Sequence, residues 1–84
     1  MIPCKLAFIG GGNMARSLIG GLIANGMSAE DIHVADKNAA TLESLNRQYP
    51  VQTFTSNQHA IEGADVIIIA VKPQQLQEVV KALH

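Results

Sequence analysis

A glycine-rich segment near the start of the chain carries its strongest chemical signal. Gly10, Gly11, Gly12, Asn13, Met14 and Ala15 fit the pattern G-x-G-x-x-A, between an apolar run at 5–9 and a long helical pattern. In such a turn the first glycine permits a tight bend, the second leaves room for a phosphate, and the small last residue lets the helix pack closely on the strand. The free N–H groups at the helix N-terminus attract an anion. The segment predicts a dinucleotide pyrophosphate site; the alternative is a glycine turn that merely caps a helix.

An acidic residue follows at the spacing that this kind of site requires. Asp36 closes the second predicted strand, 36 − 15 = 21 residues after Ala15, near the expected offset of about 20. An acid here accepts hydrogen bonds from the ribose 2′-hydroxyl of NAD and repels the additional phosphate of NADP. Lys37 could offset that repulsion. The alternative is an aspartate that only shapes the turn at the end of the strand.

Hydrophobic periodicity predicts the elements that position these residues, in the order β-α-β-α-β-α-β-α. Strands are predicted at about 5–9, 32–35, 51–55 and 66–71, and helices at about 13–25, 38–49, 57–63 and from 73 onward. Gly26 is predicted to end the first helix in a left-handed conformation. Asn38 and Asn57 are predicted N-caps.

The predicted core positions follow from the same periods. Met14, Leu18 and Leu22 are predicted to form the apolar stripe of the first helix, with Ile19 and Ile23 alongside. The unbroken apolar run at 66–71 predicts a parallel strand covered on both faces. The last helix has its own stripe, formed by Leu76, Val79, Val80 and Leu83. A side chain at Gly20 or Gly21, inside the first helix, is expected to collide either with the sheet or with a neighbour that this chain lacks. His33 is predicted to pack in the second strand.

This element order predicts an α/β fold, a Rossmann-like doubly wound parallel sheet with strand order 3-2-1-4. The first and fourth strands are then neighbours, and ligands bind outside their carboxyl ends. The glycine turn therefore converges with Ala70, Val71, Lys72 and Pro73 on one crevice. We expect Lys72 to contact ribose or phosphate oxygens of the cofactor; the alternative is a solvated surface lysine.

Composition excludes several function classes. The chain has 84 residues, a formal net charge of −1 and no run of like charge, so we expect one domain that binds neither nucleic acid nor a membrane surface. Its apolar runs are too short to span a bilayer, and we expect no signal peptide. The single cysteine, Cys4, favours a cytoplasmic location and is interpreted as a small packed residue. His59 and His84 lack metal-ligand spacing, so no metal ligands are predicted. No acid pair or nucleophile–base motif is found in the sequence, so no catalytic residues are predicted.

Three blocks of sequence resemble the N-terminal domain of pyrroline-5-carboxylate reductase. They are Phe8–Ala15, then Ser17–Leu22, then Ala64–Val66 leading to Ala70–Gln74. The resemblance implies an enzyme of proline biosynthesis that reduces the C=N bond of 1-pyrroline-5-carboxylate with NADPH or NADH, mildly favouring NADPH. It implies cofactor contacts at Ile9, Gly10, Gly11, Gly12, Asn13, Met14, Asp36, Asn57, Ala70, Val71, Lys72 and Pro73, to which the charge argument adds Lys37. The imine substrate and homo-oligomer contacts would belong to a following helical domain.

Residues 81–84 stop within an amphipathic pattern, from which we expect that residues 1–84 are the NAD(P)-binding domain of a longer enzyme, inactive alone. Two alternatives stay open. One is the NAD(P)-binding domain of a related hydroxyacid dehydrogenase or reductase. The other is a stand-alone nucleotide-binding sensor module.

Overall fold

The computed structural model describes residues 4–71 and 80–81. Its strands are β1 (Leu6–Ile9), β2 (Ile32–Ala35), β3 (Gln52–Phe54) and β4 (Val66–Ile69), and its helices are α1 (Asn13–Ala24), α2 (Ala39–Gln48) and α3 (Asn57–Ile61). A short 3-10 helix, Ala29–Asp31, occupies the predicted polar turn before β2. The predicted helix from Pro73 and its stripe at Leu76, Val79 and Leu83 lie outside the described residues; Val80 and Lys81 are helical.

The four strands form one parallel sheet in the order β3-β2-β1-β4. This confirms the predicted doubly wound topology. In the register of the sheet, Ile9 at the end of β1 lies opposite Ala35 on one side and Ile69 on the other. The carboxyl ends of β1, β2 and β4 therefore meet at one edge of the sheet, where the glycine turn begins.

Side chains that alternate along β1 contribute to two apolar clusters. Leu6 and Phe8 belong to the larger cluster, which includes buried residues of α1 and α2. Ile9 belongs to the smaller cluster with Ala35 and with Ala60 of α3. Both faces of the sheet are thus covered around β1, as the central strand of a doubly wound sheet requires.

The buried face of α1 differs from the predicted stripe. Ala15 and Ile19 are fully buried, whereas Met14 and Leu18 are 56% and 46% exposed. Leu22 and Ile23 pack partly against the larger cluster. The prediction was wrong for Met14 and Leu18, because apolar residues cover a broad arc of α1 and periodicity alone does not decide which half of that arc faces the sheet. Ala15 and Ile19 share the larger apolar cluster with Leu6 and Phe8 of β1.

The prediction that the fourth strand is covered on both faces was also wrong. Val66 and Ile67 of β4 are 46% and 43% exposed. Within the described residues, β4 pairs with β1 alone and so forms an edge of the sheet. An unbroken apolar run predicts that a strand is buried, but it does not show which other elements pack against that strand.

Most helix ends follow their predicted signals. Gly26 has a φ of +101°, in the left-handed region predicted for it. The Asn38 side chain accepts hydrogen bonds from the N–H groups of Ala40 and Thr41, which confirms it as the N-cap of α2. The predicted cap of α3 was wrong: Ser56 is the N-cap, and Asn57 is the first helical residue. Ser and Asn are similarly favoured caps, so two adjacent candidates cannot be ranked by type alone.

One of the two adjacent glycines of α1 is needed for packing against α2. A Cβ built at Gly20 would lie 2.5 Å from the Tyr49 hydroxyl, whereas one built at Gly21 meets nothing within 4 Å. A collision is thus found at Gly20, with Tyr49 and not with the sheet, whereas no described residue of this chain collides at Gly21. Arg16 joins the same two helices, donating to the Ser44 hydroxyl at 2.9 Å and to the Gln48 side-chain oxygen at 3.2 Å.

Candidate functional site

The glycine turn and the end of β4 are in direct contact. Gly10 has a φ of +107°, and a Cβ at this position would overlap the carbonyl oxygen of Ala70. The Gly10 N–H donates to the Ala35 carbonyl at 2.7 Å, and the Ala70 N–H donates to the Ile9 carbonyl at 2.8 Å. This confirms the predicted convergence of two segments that lie far apart in sequence, and it explains why Gly10 must be glycine.

The N-terminus of α1 presents donors to open space. Gly12 is its N-cap and has no side chain to cap it, and the first turn contains no acidic residue. Arg16 makes the first hydrogen bond of the helix, from its N–H to the Gly12 carbonyl at 2.9 Å. No protein acceptor for the N–H groups of Gly12, Asn13 and Met14 is found in the described part of the chain. Among the residues that the structure describes, none would come within 4 Å of a Cβ on Gly12.

Asp36 is tied to the glycine turn. Its Oδ2 accepts a hydrogen bond from the Gly11 N–H at 2.9 Å, and its Oδ1 accepts one from the Asn38 N–H at 2.8 Å. The second bond is a local Asx turn, which the sequence Asp-x-Asn could have signalled. The first joins residues 25 positions apart, and sequence reasoning missed it because no local pattern encodes it.

The other predicted cofactor residues differ in exposure, and two of them lie outside the described residues. Ile9 is buried at the end of β1, while Asn13, Met14 and Lys37 are exposed. Asn57 begins α3 and is half-buried. The remaining predicted residues are Val71, which packs against the smaller apolar cluster, and Lys72 and Pro73, which lie outside the described residues.

His33 takes no part in this crevice. Its Nδ1 lies 3.1 Å from the Ala60 carbonyl, and its ring contacts that of Phe54 at 5.3 Å between centroids. The predicted packing role is confirmed. Cys4 is half-buried and packs against the larger cluster, also as predicted.

Another concavity lies between α2 and the edge strand β3. It is an open groove of about 500 Å³ lined by residues of α2 and β3 together with Thr55 and His59. Neither the glycine turn nor Asp36 lines it. Over residues 4–71 and 80–81, no three His, Cys, Asp or Glu side chains lie together as metal ligands, and none of the helices is long and apolar enough to cross a membrane.

Comparison with known proteins assigns this fold and turn to a family. The family model described as "NADP oxidoreductase coenzyme F420-dependent" matches residues 5–84. The pyrroline-5-carboxylate reductase of Pseudomonas aeruginosa is 42% identical over 79 residues, which are 94% of this chain and 29% of that protein. The corresponding enzyme of Vibrio alginolyticus is 39% identical, over 95% of this chain and 29% of its own length.

A solved structure agrees with these sequence relatives. The structure of a pyrroline-5-carboxylate reductase from Coxiella burnetii superposes with a TM-score of 0.92 at 38% identity, covering 96% of this chain and 30% of that one. The chain therefore spans about 30% of the length of these relatives.

Proposed function

This chain belongs to the NADP oxidoreductase coenzyme F420-dependent family, and we propose that it is the nicotinamide-dinucleotide-binding part of an oxidoreductase that reduces 1-pyrroline-5-carboxylate to proline. The similarity to the pyrroline-5-carboxylate reductases of Pseudomonas, Vibrio and Coxiella supports this choice of substrate, because it extends over nearly all of this chain. The similarity favours this reading over a hydroxyacid dehydrogenase domain.

The observation that carries the dinucleotide site is the bare N-terminus of α1. Gly12 has a φ of −77°, which any residue adopts, and a Cβ there would lie within 4 Å of no described residue. The fold therefore does not require glycine at this position. A phosphate close to the backbone does require it. The unpaired N–H groups and the positive end of the helix dipole would stabilise that phosphate.

The residues at the crevice fit the cofactor in distinct ways. The N–H groups of Gly12, Asn13 and Met14 would hold the pyrophosphate, and the Asp36 carboxylate retains lone pairs that could accept from ribose hydroxyls. When bound, the nicotinamide supplies the hydride that reduces the C=N bond. Among the other predicted contacts, Ala70 and Val71 would border the crevice at the end of β4, and Ile9 would form its floor.

We propose NADPH as the preferred cofactor. The Asp36 charge opposes a 2′-phosphate, but both of its oxygens already accept hydrogen bonds from backbone N–H groups. Lys37 is exposed beside it and carries the opposite charge. These contacts reduce the repulsion and favour a 2′-phosphate more than an unpaired aspartate would.

The imine site and any homo-oligomer interface belong, on this proposal, to the part of the protein that the relatives have beyond the matched 30% of their length. We propose that residues 1–84 are the cofactor domain of such a longer enzyme. A stand-alone sensor module would bind the same dinucleotide, so only the reaction distinguishes it. A cytoplasmic location stays a prediction from composition.

Titration calorimetry of the chain with NADPH and NADH tests the proposal. We expect saturable one-to-one binding of both, with NADPH the tighter. Coenzyme binding that is absent up to millimolar concentrations would remove the proposed function, and tighter binding of NADH would remove the cofactor preference alone.

A further inference from the structure

We infer that Asp36 is a positioning residue for the pyrophosphate, acting through Gly11 in addition to any contact with ribose. The inference rests on the proposed function and deepens it. By fixing the Gly11 N–H, the carboxylate would hold the turn in the conformation that directs the next N–H groups, those of Gly12, Asn13 and Met14, to one point.

The geometry around Gly11 shows how tightly the turn is fixed. Gly11 is buried, and a Cβ built on it would lie 3.3 Å from Val34 Cγ1 and 3.6 Å from Thr41 Cγ2. Its N–H donates to Asp36 at 2.9 Å. Among the described residues, no other backbone N–H of the glycine turn donates to a side chain. Without it, the Gly11 N–H would be a buried donor with no partner.

The same carboxylate connects the turn to α2. Its other oxygen accepts from the Asn38 N–H at 2.8 Å, and the Asn38 side chain caps α2 through Ala40 at 2.9 Å and Thr41 at 3.3 Å. Thr41 in turn lies beside Gly11. Asp36 thus joins the glycine turn, the end of β2 and the start of α2 through hydrogen bonds.

The negative charge of Asp36 and its proposed positioning role predict opposite effects on the binding of inorganic pyrophosphate. A carboxylate near the pyrophosphate repels it, so removing the charge alone would tighten pyrophosphate binding. Removing the hydrogen bond that fixes Gly11 would weaken it, because the donors lose their common orientation. Inorganic pyrophosphate has no ribose, so any contact of Asp36 with ribose hydroxyls does not contribute.

The experiment compares the affinity of inorganic pyrophosphate for Asp36→Ala and for the parent chain. We expect roughly three- to tenfold weaker binding, the effect of losing one positioning hydrogen bond. Asp65→Ala is the matched control, because its Oδ2 also accepts a backbone N–H, that of Lys5 at 2.8 Å. Asp65 precedes β4, at the opposite end of the sheet, so its loss should leave pyrophosphate affinity unchanged.

Asp36→Asn provides a second variant should the alanine variant fail to fold, and amide exchange provides a second readout. The single amide oxygen of Asn can accept from Gly11 or from Asn38 but not from both, so exchange at one of these N–H groups should accelerate while α1 keeps its protection. In a folded Asp36→Ala variant, pyrophosphate binding that tightens or stays unchanged would overturn the inference. In Asp36→Asn the same result would overturn it when exchange at Gly11 accelerates, whereas tighter binding with faster exchange at Asn38 alone would support it; unchanged exchange at both amides would also overturn it. A parent chain that binds neither coenzyme would instead overturn the proposed function.

Discussion

Gly10 and Ala70 approach so closely that the Ala70 carbonyl occupies the space of any side chain at Gly10. This contact joins the turn after β1 to the end of β4 and fixes one wall of the crevice. Gly12, two residues later, faces open space in an ordinary backbone conformation. Glycine is therefore needed at the two positions for different reasons: the fold requires it at position 10, and the proposed ligand requires it at position 12.

Gly12→Val should abolish dinucleotide binding while the chain stays folded. The valine side chain would fill the position proposed for the pyrophosphate, lowering NADPH affinity by roughly a hundredfold or more. Calorimetric titration measures the affinity, and circular dichroism checks the fold.

The matched control is Gly21→Val, on the same helix but more than two turns further along. A Cβ at Gly21 also meets no neighbour within 4 Å. This variant should bind NADPH like the parent. If Gly12→Val retained the parental affinity, the pyrophosphate would not lie at this turn.

Asp36→Ser should change cofactor preference. It removes a ribose acceptor and a like charge together, so the ratio of NADPH to NADH affinity should rise. The ratio is the proper readout, because any weakening through Gly11 affects both coenzymes alike. Parallel titrations measure it, with Asp65→Ser as control. An unchanged ratio would mean that Asp36 serves the turn and does not contact the ribose.

Gly20→Ala and Gly21→Ala should differ in stability although the glycines are adjacent. Within a helix, alanine is more stabilising than glycine by about 1 kcal/mol. Gly21→Ala should therefore raise the free energy of unfolding by most of this amount. At Gly20 the new methyl group meets the Tyr49 hydroxyl, an overpacking that costs about 1–3 kcal/mol. Denaturant unfolding measures both, and adding Tyr49→Phe should reduce the difference. Equal stabilities would show that Tyr49 moves aside without cost.

Pattern and spacing predicted the sheet order, the glycine turn and most caps, because each depends on residues close in sequence or on chain topology. The contacts that complete the crevice depend on tertiary structure. The bond between Asp36 and Gly11 requires β1 and β2 to be side by side before it exists. The exposure of Val66 likewise depends on which elements of the fold pack against β4. The motif predicted that Ala15 is buried, but the exposure of Met14 and Leu18 depends on how α1 packs in three dimensions and not on its period.

The 84-residue chain should not reduce 1-pyrroline-5-carboxylate by itself. Holding an imine against the nicotinamide in aligned geometry can contribute roughly 7–11 kcal/mol to catalysis, and this chain spans about 30% of the reductases it resembles. A steady-state assay following NADPH oxidation, with the Pseudomonas reductase as positive control, measures the difference. Comparable turnover would show that the active site is complete within these residues.

The most direct test of the dinucleotide site is a titration of the isotope-labelled chain with NADPH, followed by the backbone amide signals. The account predicts saturable shifts at Gly11, Gly12, Asn13 and Met14 and at Asp36, while Asp65 and the turn at Gly63 stay unchanged. Shifts confined to the groove between α2 and β3, or saturation without any change at the glycine turn, would contradict it.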